Sequence, residues 1–181
     1  MLAVGPLVSF AVMFGHFSNI GTDSTFGIRL YTPDGTPGVN GTNDWEENGN
    51  ELQLQRGRWY PTAAMLPNGS ILVIGGETGS NAAPQPNLEI LPFPEGGQVV
   101  YLDWLNRTDP WNLYPFVVVL PSGNLFVGTV SARSSGSKFN MKPLAYFNEA
   151  RIIDAVNFDT VTVLPNMPGA VNNCAFFLCF L

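Results

Sequence analysis

An all-β fold is what three features of this 181-residue chain predict: abundant turn formers, sparse charge, and apolar runs too short for long helices. Glycine (19) and proline (15) interrupt helices throughout, and charged residues make up only 12% of the chain. Disorder needs low hydrophobicity with high charge, whereas 45% of these residues are hydrophobic. The length suits one domain with its own core, or part of a larger one. Fourteen acids against eight bases give a net charge of −6 without a basic cluster, which excludes nucleic acid as a partner.

In chain order, "MLAVGPLVSFAVMFG" is apolar from Leu2 to Gly15 and has no Lys or Arg. Residues 1–25 thus read either as a signal-like segment lacking its basic n-region or as a buried strand pair broken at Gly5-Pro6. Sequons at Asn40, Asn68 and Asn106 favour the secretory route. "FGIRLYTPDG" and "NELQLQ" have the pattern of outer strands of a first unit. Between them Asp44, Glu46 and Glu47 flank Trp45 in a Gly- and Asn-rich loop. Paired carboxylates suit glycoside hydrolysis, but a solvated loop is the simpler reading.

The centre of the chain carries a repeat. "RWYPTAAMLPNGSILVIGG" (58–76) returns as "NLYPFVVVLPSGNLFVGTV" (112–130), and the turn glycines Gly69 and Gly123 mark its period. Leu-Pro-x-Gly is turn chemistry, because Pro presets φ and Gly accepts unusual angles. Hairpins are therefore expected for 58–66 with 70–75 about Pro67–Gly69, and for 114–120 with 124–130 about Pro121–Gly123. Their strands are continuously apolar, which predicts burial on both faces. Each hairpin is followed by a more polar, outward pair: "NLEILPFP" and "QVVYLDWL", then "ARIIDAV" and "DTVTVLPNMPG". Four strands recurring at this spacing point to kelch-type β-propeller blades. About three blades, an incomplete propeller, would fill residues 1–181; a β-sandwich is the alternative.

Most enzymatic signatures are absent. Gly75-Gly76 closes a strand with no helix behind it to hold phosphate. His16 is the sole histidine, so no multi-histidine metal site exists within the chain. Cys174 and Cys179 lack the spacing and the nearby histidine of a zinc site, leaving a local disulfide or two buried thiols. Their run, "CAFFLCFL", is too short to span a membrane. Read from its residues alone, Tyr60 has either a packing role or a chemical one.

The ordered string of "NELQLQ", "RWYPTAAMLPNGSILVIGG", "NLYPFVVVLPSGNLFV" and "LPNMPGAVNN" resembles the N-terminal propeller region of fungal glyoxal oxidases. These are copper radical oxidases related to galactose oxidase. The resemblance runs from Phe26 to Asn173, apart from Ser131–Ala150, and leaves 174–181 as a divergent tail. It implies a secreted protein that oxidises small aldehydes or alcohols with O2, yielding H2O2. It makes Tyr60 the catalytic redox tyrosine and a copper ligand, normally cross-linked to a cysteine. Such oxidation removes two electrons; copper takes one and a radical on the ligand tyrosine takes the other.

Further expectations concern the neighbours of Tyr60. Trp59 should point to the opposite face of the strand and be structural. Arg58 should anchor the loop or shift the phenol by its charge. Tyr114, at the equivalent place in the repeat, reads as packing. No cysteine precedes Tyr60, and the family's axial tyrosine and copper histidines belong to the C-terminal half of the propeller. The chain is thus expected to be truncated and inactive alone. Two rival functions are a non-catalytic kelch interaction module and a secreted carbohydrate-binding propeller using exposed Trp45, Trp104 and Trp111.

Overall fold

A computed structural model describes residues 25–32, 34, 38–79, 82–108, 113–129 and 149–165, together with the backbone of 2–4 and 11–14. The described residues form an all-β molecule of three antiparallel sheets, with one helix of five residues. The first sheet has the order β1 (Leu2–Val4), β2 (Ala11–Phe14), β3 (Ile28–Tyr31). In the N-terminal segment β1 and β2 pair antiparallel, with Val4 opposite Ala11. "NELQLQ" joins the edge of this sheet through a bridge between Gly27 and Gln53.

The second sheet is a meander of β4 (Thr62–Met65), β5 (Ile71–Ile74), β6 (Asn87–Leu91) and β7 (Val99–Tyr101). The third repeats it with β8 (Phe116–Val119), β9 (Leu125–Gly128), β10 (Ala150–Ile153) and β11 (Thr160–Val163). Helix α1 (Asp103–Arg107) follows β7 and occupies the second half of "QVVYLDWL", where the pattern predicts a strand.

The period set by the turn glycines holds strand for strand in the hairpins. Thr62 pairs with Ile74, and one period later Phe116 pairs with Gly128. The turns match bond for bond: Gly69 donates to the Leu66 carbonyl and Gly123 to that of Leu120, each at 2.9 Å. Both turn glycines have positive φ, 83° and 86°. Both hairpins have shorter strands than the sequence predicts, because the Tyr-Pro pair stands outside the ladder in each. Beyond the hairpins the period lapses: β6 starts at Asn87 and β10 at Ala150, farther apart than Gly69 and Gly123.

Two cores explain the order of burial. Ile71 and Val73 of β5 face Ile28, Leu54 and Leu91, while Leu72 and Ile74 face Leu125, Val127, Ile153 and Trp104. Strand β5 is therefore buried on both faces, as its unbroken apolar run requires. Strand β6 departs from the expected polar, outward character: Leu88 and Glu89 are fully buried, because the carboxylate of Glu89 has a buried cation to meet. In the third sheet the outward expectation holds for β11, which is exposed along its length, but not for β10, which is half-buried and sends Ile153 into the core. The first strands β1, β4 and β8 lie side by side, β4 against both of the others.

Candidate functional site

The segment leading into β4 is pinned residue by residue. The Gly57 carbonyl accepts from Gln85 Nε2 at 2.8 Å, and Arg58 N donates to the Thr25 carbonyl at 2.9 Å. Trp59 exchanges both backbone bonds with Glu77, at 2.6 and 2.9 Å, and the Tyr60 carbonyl accepts from Tyr114 N at 3.0 Å. Gly76 passes under this segment with φ 86°, so close that a Cβ there would lie 2.6 Å from the Trp59 carbonyl oxygen.

Arg58 is the anchor. Its guanidinium is turned inward and has all five N–H donors engaged. Nε donates to Glu89 Oε1 at 3.1 Å, and Nη1 donates to the carbonyls of Gly75 (3.1 Å) and Asn87 (2.9 Å). Nη2 donates to Asn87 Oδ1 and, at 2.7 Å, to Glu89 Oε1. Burial pulls the guanidinium below its ordinary pKa, and the Glu89 carboxylate opposes that pull. Glu89 also accepts from the backbone of Gln55 (2.6 Å) and Arg56 (3.2 Å), so both charges are compensated where water cannot reach. Of the two expected roles, anchoring the loop is therefore the one the contacts support.

What this anchoring presents is a stack of rings. Tyr60 has φ 58°, uncommon for a residue with a side chain, and costs about 1–3 kcal/mol. The turn breaks the alternation of a regular strand, so Trp59 does not point away from Tyr60 as expected. Instead the two rings stack, with centroids 3.6 Å apart at 14°. Tyr114 has φ 50°, and its ring stacks on Tyr60 with centroids 4.8 Å apart at 21°. Tyr114 thus packs against Tyr60, although it is 51% exposed and Tyr60 38% exposed. Partial burial, then the neighbouring Tyr60 phenol, raise the Tyr114 pKa above its usual value.

Other sequence candidates fare differently. Asp44, Glu46 and Glu47 are exposed, as a solvated loop requires, and Glu47 pairs with Arg29 at 2.8 Å. Trp45 is exposed beside Tyr31, at 5.2 Å between centroids. Trp104 is 1% exposed, because helix α1 turns it into the core between the second and third sheets, so it offers no carbohydrate platform. Its Nε1 has no hydrogen-bond partner among the described residues, and the Arg151 guanidinium lies 5.3 Å from its ring. His16, Trp111, Cys174 and Cys179 lie outside the described residues. Among the described residues no group of three His, Cys, Asp or Glu side chains could hold a metal ion. No helix among them is long and apolar enough to cross a membrane.

Sequence reasoning overlooked Glu89, although a carboxylate inside "NLEIL" signals a buried charge in need of a cation. It also missed the contact between Tyr60 and Tyr114. The Tyr-Pro repeat contained that signal, since equivalent residues of adjacent sheets occupy equivalent positions.

Residues 21–143 match the family described as glyoxal oxidase N-terminus. A "WSC domain-containing protein" of Arthroderma benhamiae is 56% identical over 152 residues, covering 84% of this chain and 14% of that protein. "Aldehyde oxidase GLOX" of Vitis pseudoreticulata is 36% identical over 102 residues, covering 55% of this chain and 18% of its own length. "Aldehyde oxidase GLOX1" of Arabidopsis thaliana is 40% identical over 74 residues, covering 39% and 11%. The chain thus spans less than a fifth of each of these relatives.

Proposed function

This chain belongs to the glyoxal oxidase N-terminus family, and we propose that it supplies the redox tyrosine, Tyr60, to a copper radical oxidase. The complete protein oxidises small aldehydes or alcohols with O2 and releases H2O2, and acts outside the cell. The observation that carries this reading is the position of Tyr60 inside the matched region. It stands at the leading end of the first strand of its sheet, ring partly open, on a segment fixed by buried Arg58.

The architecture proposed is an incomplete kelch-type propeller of three blades over residues 1–181, with 174–181 as a divergent tail. Two observations support it: the four-strand meander recurs, and the first strands of the three sheets lie side by side, as innermost strands do around an axis.

Copper is the cofactor of the proposed whole site, but the described residues do not by themselves fit it. A phenol must lose its proton to bind a metal, and no imidazole, thiolate or carboxylate cluster accompanies Tyr60 among them. The role of this chain is to hold Tyr60 and cover its ring. The purified 181-residue chain, loaded with copper, is expected to give no peroxide from glyoxal or methylglyoxal. Turnover abolished by Tyr60→Phe would show that the chain completes the site itself.

A further inference from the structure

We propose that Tyr114 is a positioning residue which closes the second face of the Tyr60 ring, so that Tyr60 is sandwiched between Trp59 and Tyr114 and a radical on it is protected. The inference rests on the reading of Tyr60 as the redox residue. Its geometry comes from the two stacking distances. Rings at 3.6 and 4.8 Å from the Tyr60 centroid, both nearly parallel to it, would overlap each other if they lay on one face. Trp59 and Tyr114 therefore take opposite faces.

Three features show that Tyr114 is held in place for this. The Tyr114 amide donates to the Tyr60 carbonyl, which fixes the spacing of the two residues. Both backbones adopt positive φ without being glycine, a cost the fold accepts twice at one spot. Tyr114 also leaves 51% of its surface exposed, so burial alone does not explain its position. A phenoxyl decays by coupling with other radicals or by meeting reductants, and both need access to the ring. Two stacked rings cover both faces of the phenol and leave only its edge and oxygen uncovered by them.

Flash oxidation of the whole chain by photogenerated tris(bipyridine)ruthenium(III) tests this. Tyr60 gives one electron to the metal complex and its phenolic proton to water, leaving a neutral phenoxyl. The component lost in Tyr60→Phe is the Tyr60 signal. Its lifetime should shorten several-fold in Tyr114→Leu, which opens one face of the ring, and remain near wild type in Tyr114→Phe, which keeps the ring. An unchanged lifetime in folded Tyr114→Leu would overturn the sandwich and leave the redox reading of Tyr60 standing. Absence of any Tyr60 signal in the wild type would overturn both. Nitration of the wild type by tetranitromethane needs no variant: Tyr60 should react several times more slowly than Tyr101, beyond what exposures of 38% and 60% account for. Equal rates after that correction would also overturn the proposal.

Discussion

The second and third sheets begin with the same hairpin and are fastened differently. Strands β4 and β5 recur as β8 and β9 one period later, with the same turn bonds and the same register. Yet β5 is buried on both faces, whereas Phe126 of β9, the counterpart of Leu72, is half-buried. The leading segments differ more. Arg58 locks the approach to Tyr60 through a fully buried ion pair, and its counterpart in the repeat is Asn112, an uncharged residue. The pair associated with the third sheet is instead Glu149–Arg151, partly open to solvent at 2.6 Å. A repeat thus specifies a hairpin and places two tyrosines alike, while a fully buried ion pair anchors the segment that leads into Tyr60.

The largest effect should come from breaking that lock. Glu89→Leu or Arg58→Met alone leaves a buried charge uncompensated and should cost about 3–5 kcal/mol in urea unfolding. The double substitution should recover much of the loss. Glu149→Leu, whose pair is partly solvated, should cost far less, and equal costs would erase the distinction between the sheets.

Next in size are the hairpin cores. Leu72→Ala should cost about 2–5 kcal/mol, because its site is sealed. Phe126→Ala, at the equivalent position, should cost less despite removing a larger side chain, because that ring is already partly hydrated.

Glycine substitutions sharpen the contrast further. Gly123→Ala meets open space and carries only the strain of φ 86°, roughly 1 kcal/mol. Gly76→Ala adds a clash with the Trp59 carbonyl at 2.6 Å, so it should be worse and should disturb the near-ultraviolet signal of the ring stack.

The smallest effect is a pH dependence of two loops. The Thr42 hydroxyl, then the Asn43 and Thr42 amides, lower the Asp34 pKa to about 2, and the amides of Asn157 and Val156 lower that of Asp154. Folded values below the unfolded one mean that this stabilisation is complete above the unfolded pKa and is lost on acidification. For Asp34 the window runs from 3.8 down through about 2. Protection of the Thr42 amide, taken relative to its intrinsic exchange rate, should fall in that window, and that of the Val156 amide should fall on acidification, with the ring stack unchanged.

Much of this was legible in the sequence. Pro-Asn-Gly and Pro-Ser-Gly between apolar runs fixed both hairpins, and the unbroken "ILVI" announced a strand covered on both faces. What stayed hidden depends on tertiary contact. The stacking of Trp59 on Tyr60 follows from one positive φ, which local pattern does not encode for tyrosine. The burial of Glu89 and Trp104 follows from partners distant in the chain and from a neighbouring sheet. Propensity favoured a strand for "LDWL", but α1 forms there because its apolar side packs into that inter-sheet core.

The central claim is that two equivalently placed tyrosines differ in chemistry, and that Tyr60 alone is the redox residue. It is tested most directly in a full-length relative whose matching region is replaced by this chain. Peroxide production from glyoxal should survive the replacement, fall to background with Tyr60→Phe, and persist with Tyr114→Phe, which keeps the stacked ring. Activity retained in Tyr60→Phe, or lost only in Tyr114→Phe, would contradict the account.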